Sequence, residues 1–451
     1  MALEKQAWEK ILRYLRIRDK ERTDILDDLL PQDLAEQIYS LPNEEKVEIF
    51  GLLNNEEAAI ILGEMELEQQ AKILSLLSPK VAADILSEMP YDDMTDLLGE
   101  LKEDLKNKIL SYMQSDDAEE VRELLEYPKD SAGGIMTTEF IAFKETLTVK
   151  EAIKTLRELA PSAETAYYIY VVDEDEKLVG VVSLRELIIA DENQILREIM
   201  RTNVVSVQVD TDQEQVAQMV QKYNFLAIPV TDKDNKLLGI ITVDDIMDVI
   251  EEETTEDIYH LVGTSEVEGT TLVEAKPISI AKTRLPWLII CLLGGLFSGS
   301  VISVYEETLN AIVALAFFIP VIMDMGGNVG SQSSTVFVRG VATGEIPANK
   351  MFRYFLKEIR VGLIMGLICG LTIALAASLW QGLPILGLVV GISMFCTVTL
   401  AATIGTLVPL IFTRFGIDPA VTAGPFVTTI KDVTGLLIYF YIATVFMEYL
   451  M

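Results

Sequence analysis

From residue 281 onward, apolar residues run nearly unbroken in five stretches, near 285–304, 309–336, 357–380, 384–412 and 421–449. A helix of that length crosses an apolar layer of about 30 Å, so residues 281–451 are predicted to form a transmembrane domain of five helices. The first 130 residues follow a different rhythm. Apolar positions recur there every three or four residues in short bursts, and the bursts themselves repeat every 24 residues. Leu29, Leu53 and Leu77 correspond, as do Ala35, Ala59 and Ala83, and Ile38, Leu62 and Leu86. A unit this short cannot bury its own apolar face, so residues 1–130 are predicted to stack pairs of short helices into an α-superhelical N domain.

Between these parts, β-branched runs alternate with helical stretches, and the α/β pattern occurs twice, over 131–195 and 196–250. In the first copy Tyr168-Ile169-Tyr170-Val171-Val172 leads through an acidic turn to Gly180-Val181-Val182-Ser183, followed by Arg185 and Glu186. In the second, Leu226-Ala227-Ile228-Pro229-Val230 leads to Gly239-Ile240-Ile241-Thr242, followed by Asp244 and Asp245. The doubled order of strand, acidic turn, glycine, β-branched pair, hydroxyl and acid resembles a tandem pair of CBS domains. Such pairs commonly bind adenine nucleotides. Here Tyr168, Tyr170 and Phe225 offer stacking surface beside Ala227 and Pro229, Arg185 a charge for phosphate, and Thr242 with Asp244 or Asp245 hydrogen bonds for ribose. ATP is therefore a candidate ligand.

Charge sharpens the division. Of 69 acidic and 36 basic residues, eight and nine fall from residue 281 onward, leaving 61 and 27 before it, a net charge of −34 against +1. So acidic a soluble half repels nucleic acid and attracts multivalent cations. Candidate cation ligands are Asp92, Asp93 and Asp96 in the N domain, Glu214, Asp245 and Asp248 in the CBS pair, and Glu252, Glu253, Glu256 and Asp257 in an acidic connecting helix over 251–280. Such carboxylates should repel one another until a bridging divalent cation reverses the sign of their contacts. The Lys and Arg clusters flanking the spans all fall on one side, which the positive-inside rule places in the cytoplasm. The soluble half is then cytoplasmic and, with five spans, the C-terminus lies outside. Cys291, Cys369 and Cys396 lack metal-ligand spacing, and His260 is the only histidine, which disfavours zinc chemistry and histidine catalysis. Without a P-loop or a nucleophile–base pair, an enzyme is not expected.

The membrane half carries the transport argument. Asp432 lies about 16 Å into the last span, near mid-bilayer, with Thr428, Thr429 and Gly435 on its helical face. A carboxylate there costs about 2.5–3.5 kcal/mol unless water, a base or a cation compensates it. Lys431 points about 100° away and is an imperfect partner. Pro320 to Ser333, with Asn328 and Gln332 among its glycines, reads as a distorted helix lining a passage. Gly295 and Gly299, and Gly362, Gly366 and Gly370, read as close-packing faces. Carboxylate, hydroxyl and carbonyl oxygens without thiolate or imidazole suit Mg²⁺, with Mn²⁺, Co²⁺ and Ca²⁺ open.

Gly326-Gly327-Asn328-Val329-Gly330-Ser331-Gln332 and Pro425 to Gly435, with the order of helical domain, CBS pair, acidic connector and five spans, resemble the MgtE family of magnesium channels. The resemblance implies a homodimer in the bacterial inner membrane, with Asp432 as the ion-selecting carboxylate on the dimer axis. It makes the connector a plug helix that closes the pore when cytoplasmic Mg²⁺ is high. The expected function is a Mg²⁺ channel or transporter. A carrier for Mn²⁺ or Co²⁺ and a membrane-anchored sensor are the alternatives. Asn224 stands where an acid is expected beside Phe225, which puts a regulatory site there in doubt.

Overall fold

The computed structural model describes residues 30–265 and 275–450. The chain forms two compact units, Met1–Ile250 and Glu251–Met451.

The first unit opens with α1 (Pro31–Tyr39), α2 (Asn43–Phe50), α3 (Asn55–Gly63), α4 (Leu67–Leu76), α5 (Pro79–Leu86), α6 (Tyr91–Glu100), α7 (Glu103–Leu110) and α8 (Ser115–Leu124). The 24-residue repeat is visible in where helices begin: Leu30, Asn54, Ser78 and Lys102 occupy equivalent N-cap positions. Asn54 forms a full capping box with Glu57, and Ser78 accepts from the Val81 N–H. α1, α3, α5 and α7 pack in sequence on one layer, and α2, α4, α6 and α8 on another. Ile38, Leu62 and Leu86, equivalent in the repeat, all lie in the shared core. Leu29 lies outside the described residues.

The α/β part follows as β1 (Ala142–Lys144), α9 (Val149–Leu159), β2 (Tyr168–Val172), β3 (Leu178–Ser183), α10 (Leu184–Ile189), α11 (Leu196–Ile199), β4 (Val207–Gln208), α12 (Gln213–Tyr223), β5 (Ala227–Thr231), β6 (Leu237–Thr242) and α13 (Val243–Val262). Two three-stranded sheets have the orders β1-β2-β3 and β4-β5-β6, each with a parallel and an antiparallel pair. The copies are stitched together by Thr137 pairing with Ile240 and Val181 with Arg201. Ser183 caps α10 in a capping box with Glu186, and at the start of α13 the Thr242 N–H and hydroxyl both donate to the Asp245 carboxylate. Asn224 is left-handed (φ 53°) and closes α12. That accounts for an asparagine where an acid was expected, because asparagine tolerates this conformation better than most residues.

In the second unit, α14 (Pro277–Val304), α15 (Glu306–Ala311), α16 (Ile319–Ala342), α17 (Met351–Gln381), α18 (Pro384–Arg414), α19 (Pro419–Ala423), α20 (Pro425–Val445) and α21 (Met447–Leu450) follow one another. Among the described residues four helical segments are long and apolar enough to cross a membrane: 277–304, 313–342, 348–381 and 384–414. α20, which carries Lys431 and Asp432, is not among them. α18 is the most buried of the four and packs against α16, α17 and α20.

Several expectations are corrected. The second span does not break over 320–333, since α16 is regular there. Pro320 sits in its first turn, where no N–H is required, and the interruption is the turn of 3₁₀ helix at Val313–Phe318. The connector is not a separate helix over 251–280, because α13 already begins at Val243 and α14 at Pro277, with 266–274 outside the described residues. Gly362, Gly366 and Gly370 do seat α17 against α18, where a Cβ at Gly370 would lie 2.7 Å from the Gly391 carbonyl. Among the described residues a Cβ at Gly295 or Gly299 would meet nothing within 4 Å, so close packing there is not seen among them.

Candidate functional site

Lys431 and Asp432 lie on α20, and the surrounding helices treat them differently. Lys431 is only 2% exposed. Its Nζ donates to the Gly327 carbonyl at 3.0 Å and the Ser331 hydroxyl at 3.4 Å, both on α16. A Cβ at Gly330 would come within 2.6 Å of that Nζ, so the glycine leaves the space the lysine fills. Asp432 is half-buried. Thr428 donates to the Gly424 carbonyl at 3.2 Å, Thr429 packs on Gly294 of α14, and Gly435 is buried against Thr397 of α18. The residues expected on one polar face thus reach three different surroundings, and Thr429 is occupied in helix packing.

On α16, Asn328 is exposed and donates to Asp324 Oδ2 at 3.1 Å, while Gln332 is exposed. The opposite side of this helix holds Ser333, whose hydroxyl donates to Glu358 Oε1 at 2.8 Å. Glu358 is a buried carboxylate of α17. Sequence reasoning missed it because it stands among Arg353, Lys357 and Arg360, which read as a cytoplasmic connection. It likewise undervalued Lys431, having considered neighbours on its own helix alone. The cue available was Gly330, whose missing side chain leaves room on α16 for a long one.

The acids of the first unit gather where α6 meets the α/β part. Asp92 is buried and its carboxyl is pushed well above the usual range, by burial first and then by Asp245, Asp93 and Glu164. Glu164 is pushed up to about 7 by burial, with Asp245, Asp93, Asp244 and Glu139 adding. Asp245 is pushed up to about 6 by burial, against the hydrogen bonds it accepts from Thr242. Asp93 keeps access to water and is crowded by Asp244 and Asp248. Glu164 and Glu139, which accepts from the Tyr91 N–H at 3.3 Å, were missed. Asp96 lies near Lys129, and Glu214 accepts from Gln218 at 3.4 Å. Among the described residues no three of these acids close on one point as a ready-made metal cage.

In the second unit, Asp257 is pushed up to about 6 by burial first and Asp418 next. His260 stands 3.6 Å from Glu256 and 3.3 Å from Asp418. Glu252 and Glu253 lie on the same helix, α13.

A cavity of about 330 Å³ opens between the two α/β copies, lined by Tyr168, Tyr170, Phe225, Ala227 and Pro229 with Ser183, Glu186 and Arg201. The Tyr170 hydroxyl is buried there without a hydrogen-bond partner. Arg185, Thr242, Asp244 and Asp245 do not line it. Thr242 and Asp245 are tied to each other at the helix start, and Asp244 and Asp245 face the acid cluster. The cation at the cavity is Arg201, whose Nη2 lies 2.6 Å from Glu186. The only sequence cue to it is that Ile199-Met200-Arg201 opens the second copy.

Apolar helices that bury a lysine and hold a carboxylate beside it, joined to a paired CBS module, define a multi-pass membrane protein for ion transport. Residues 29–130 match the MgtE intracellular N domain, 132–193 and 196–252 the CBS domain, and 319–442 the MgtE divalent cation transporter family. The magnesium transporter MgtE of Bacillus subtilis (strain 168) is 38% identical over 438 residues, 97% of this chain and 96% of that protein. Its counterpart from Thermus thermophilus is 42% identical over 329 residues, 73% of each. The crystal structure of the soluble part of a magnesium transporter superposes with a TM-score of 0.52 at 39% identity, covering 55% of this chain and 99% of that one. The chain belongs to the MgtE family of magnesium transporters, which is not an enzyme family.

Proposed function

We propose that this chain carries Mg²⁺ across the bacterial inner membrane, through a path that Asp432 lines in a homodimer. The observation that carries the reading is a half-buried carboxylate on α20 next to a lysine fixed by α16. A carboxylate at that depth needs water or a cation, and a hard oxygen ligand suits an ion that keeps most of its water shell. α20 is then a fifth span despite its two charges, which puts the C-terminus outside and the N domain (1–130), CBS pair (131–250) and connector on the cytoplasmic side. Asp432→Ala should abolish Mg²⁺ uptake into proteoliposomes while the dimer still assembles. Unchanged uptake would remove Asp432 from the path. The same vesicles loaded with Mn²⁺ or Co²⁺ probes test those ions, and absence of any flux leaves a sensor.

Gating by cytoplasmic Mg²⁺ follows from the acid cluster. Asp92, Asp93, Glu164 and Asp245 are brought together with Asp244 and Asp248 beside them, and the charged neighbours that push up the first four are all acids. Water-retaining Mg²⁺ can bridge such acids without a preformed cage. The acids of α13 would do the same toward Asp418. A second ligand, ATP, is favoured by a cavity lined by Tyr168, Tyr170 and Phe225 and large enough for part of a nucleotide. Arg201, rather than Arg185, is the cation there to meet phosphate. Calorimetry of the full chain with millimolar ATP should show heat that Tyr170→Ala removes. No heat with or without Mg²⁺ ends this reading.

A further inference from the structure

Burying an ammonium without a counter-ion is expensive, and such residues inside membranes are seldom incidental. Lys431 is placed with three separate provisions: two oxygen acceptors on α16, and the space left by Gly330. Both acceptors are neutral, and among the described residues the lysine forms no ion pair. Its carboxylate neighbour in the chain is Asp432, one position further and about 100° around the helix. The lysine therefore contributes a fixed positive charge that α16 holds in place, so that it cannot swing out to neutralise Asp432 directly.

We propose that Lys431 is a specificity-determining residue of the cation path, a tethered positive charge that weakens the hold of Asp432 on a divalent ion and so keeps that ion moving. This rests on the reading that Asp432 lines the path. The repulsion an ion feels from the ammonium scales with the ion's charge, so a divalent cation is loosened twice as strongly as a monovalent one. A conducting site must bind well enough to admit the ion and weakly enough to release it. Removing the charge should deepen the well for Mg²⁺, lowering both the half-saturating concentration and the maximal rate.

The test is Mg²⁺ uptake into proteoliposomes by the native chain and by K431Q, K431M and K431R, with half-saturation and maximal rate measured separately. In the neutral variants half-saturation should fall by about tenfold and maximal rate should fall with it. K431R, which keeps the charge, should return half-saturation toward the native value. A lysine that only ties two helices together would cost stability or rate without lowering half-saturation. K431Q is included because its amide can still bond a carbonyl if K431M fails to assemble. Half-saturation in K431Q within about twofold of native, or higher, overturns the proposal. If the native chain transports Mg²⁺ and Asp432→Ala abolishes that transport, such a result sinks the Lys431 proposal alone. If the native chain transports no Mg²⁺, the transport reading falls and takes the proposal with it.

Discussion

A methyl group added at Gly330 would occupy space that the Lys431 side chain fills, within 2.6 Å of its Nζ. Overpacking of a buried contact costs about 1–3 kcal/mol, so Gly330→Ala should lower the melting temperature of the detergent-solubilised protein and weaken the Lys431 tie to Gly327. A melting curve identical to native would mean that α16 yields freely at this point. The same residues show how far single positions could be read in advance. Asp432 stood out because an acid deep in an apolar run is conspicuous without any neighbour. Lys431 did not, because its partners are a backbone carbonyl and a hydroxyl some hundred positions away, on a helix whose facing direction the sequence leaves open. The cavity residues divide in the same way: Tyr168 and Tyr170 were legible from the strand that carries them, whereas Arg201 and Glu186 meet only because the copies pair edge to edge.

At the scale of elements, α6 presents Asp92 and Asp93 to the start of α13, and Glu164 is near acids of both helices. Burial and crowding hold Asp245 at about 6 and Glu164 at about 7, above the ordinary carboxylate values of about 4. The folded arrangement therefore binds protons that the separated one releases. Its stability is full below about pH 4 and is lost as pH rises through about 6 to 7. Without divalent cations, the full-length protein should melt at a higher temperature at pH 5.5 than at pH 7.5, and Glu164→Gln with Asp245→Asn should flatten the difference. A melting temperature that climbs with pH across this window would contradict the sign. The helices themselves were largely legible, since the 24-residue period fixes where α1, α3, α5 and α7 begin. α16 was misread because proline, glycine, asparagine and glutamine set so densely together were taken for a distorted helix lining a passage. Lys431 at Gly330 and Thr397 at Gly326 instead use the glycines' small size within a regular helix.

Across the whole molecule, the acidity of the first 280 residues predicts that Mg²⁺ compacts the soluble half and closes the path. Moving a two-state switch from 1:99 to 99:1 takes about 5.5 kcal/mol of differential binding, which several exposed sites can supply together. Protease protection and flux measured across one Mg²⁺ titration should change together, and deletion of 1–130 should blunt both. A soluble half cut equally fast with and without Mg²⁺ would refute the coupling. The placement of α18 has a different consequence, for how the protein is made. α18 is enclosed by α16 and α17, which precede it in the chain, and by α20, which follows. When synthesis has just passed Arg414, the surface that will meet α20, including the buried Thr397 beside Gly435, still lacks its protein neighbour. α18 therefore cannot reach its final surroundings as it is released, and the central helix of the bundle must wait for the last long one.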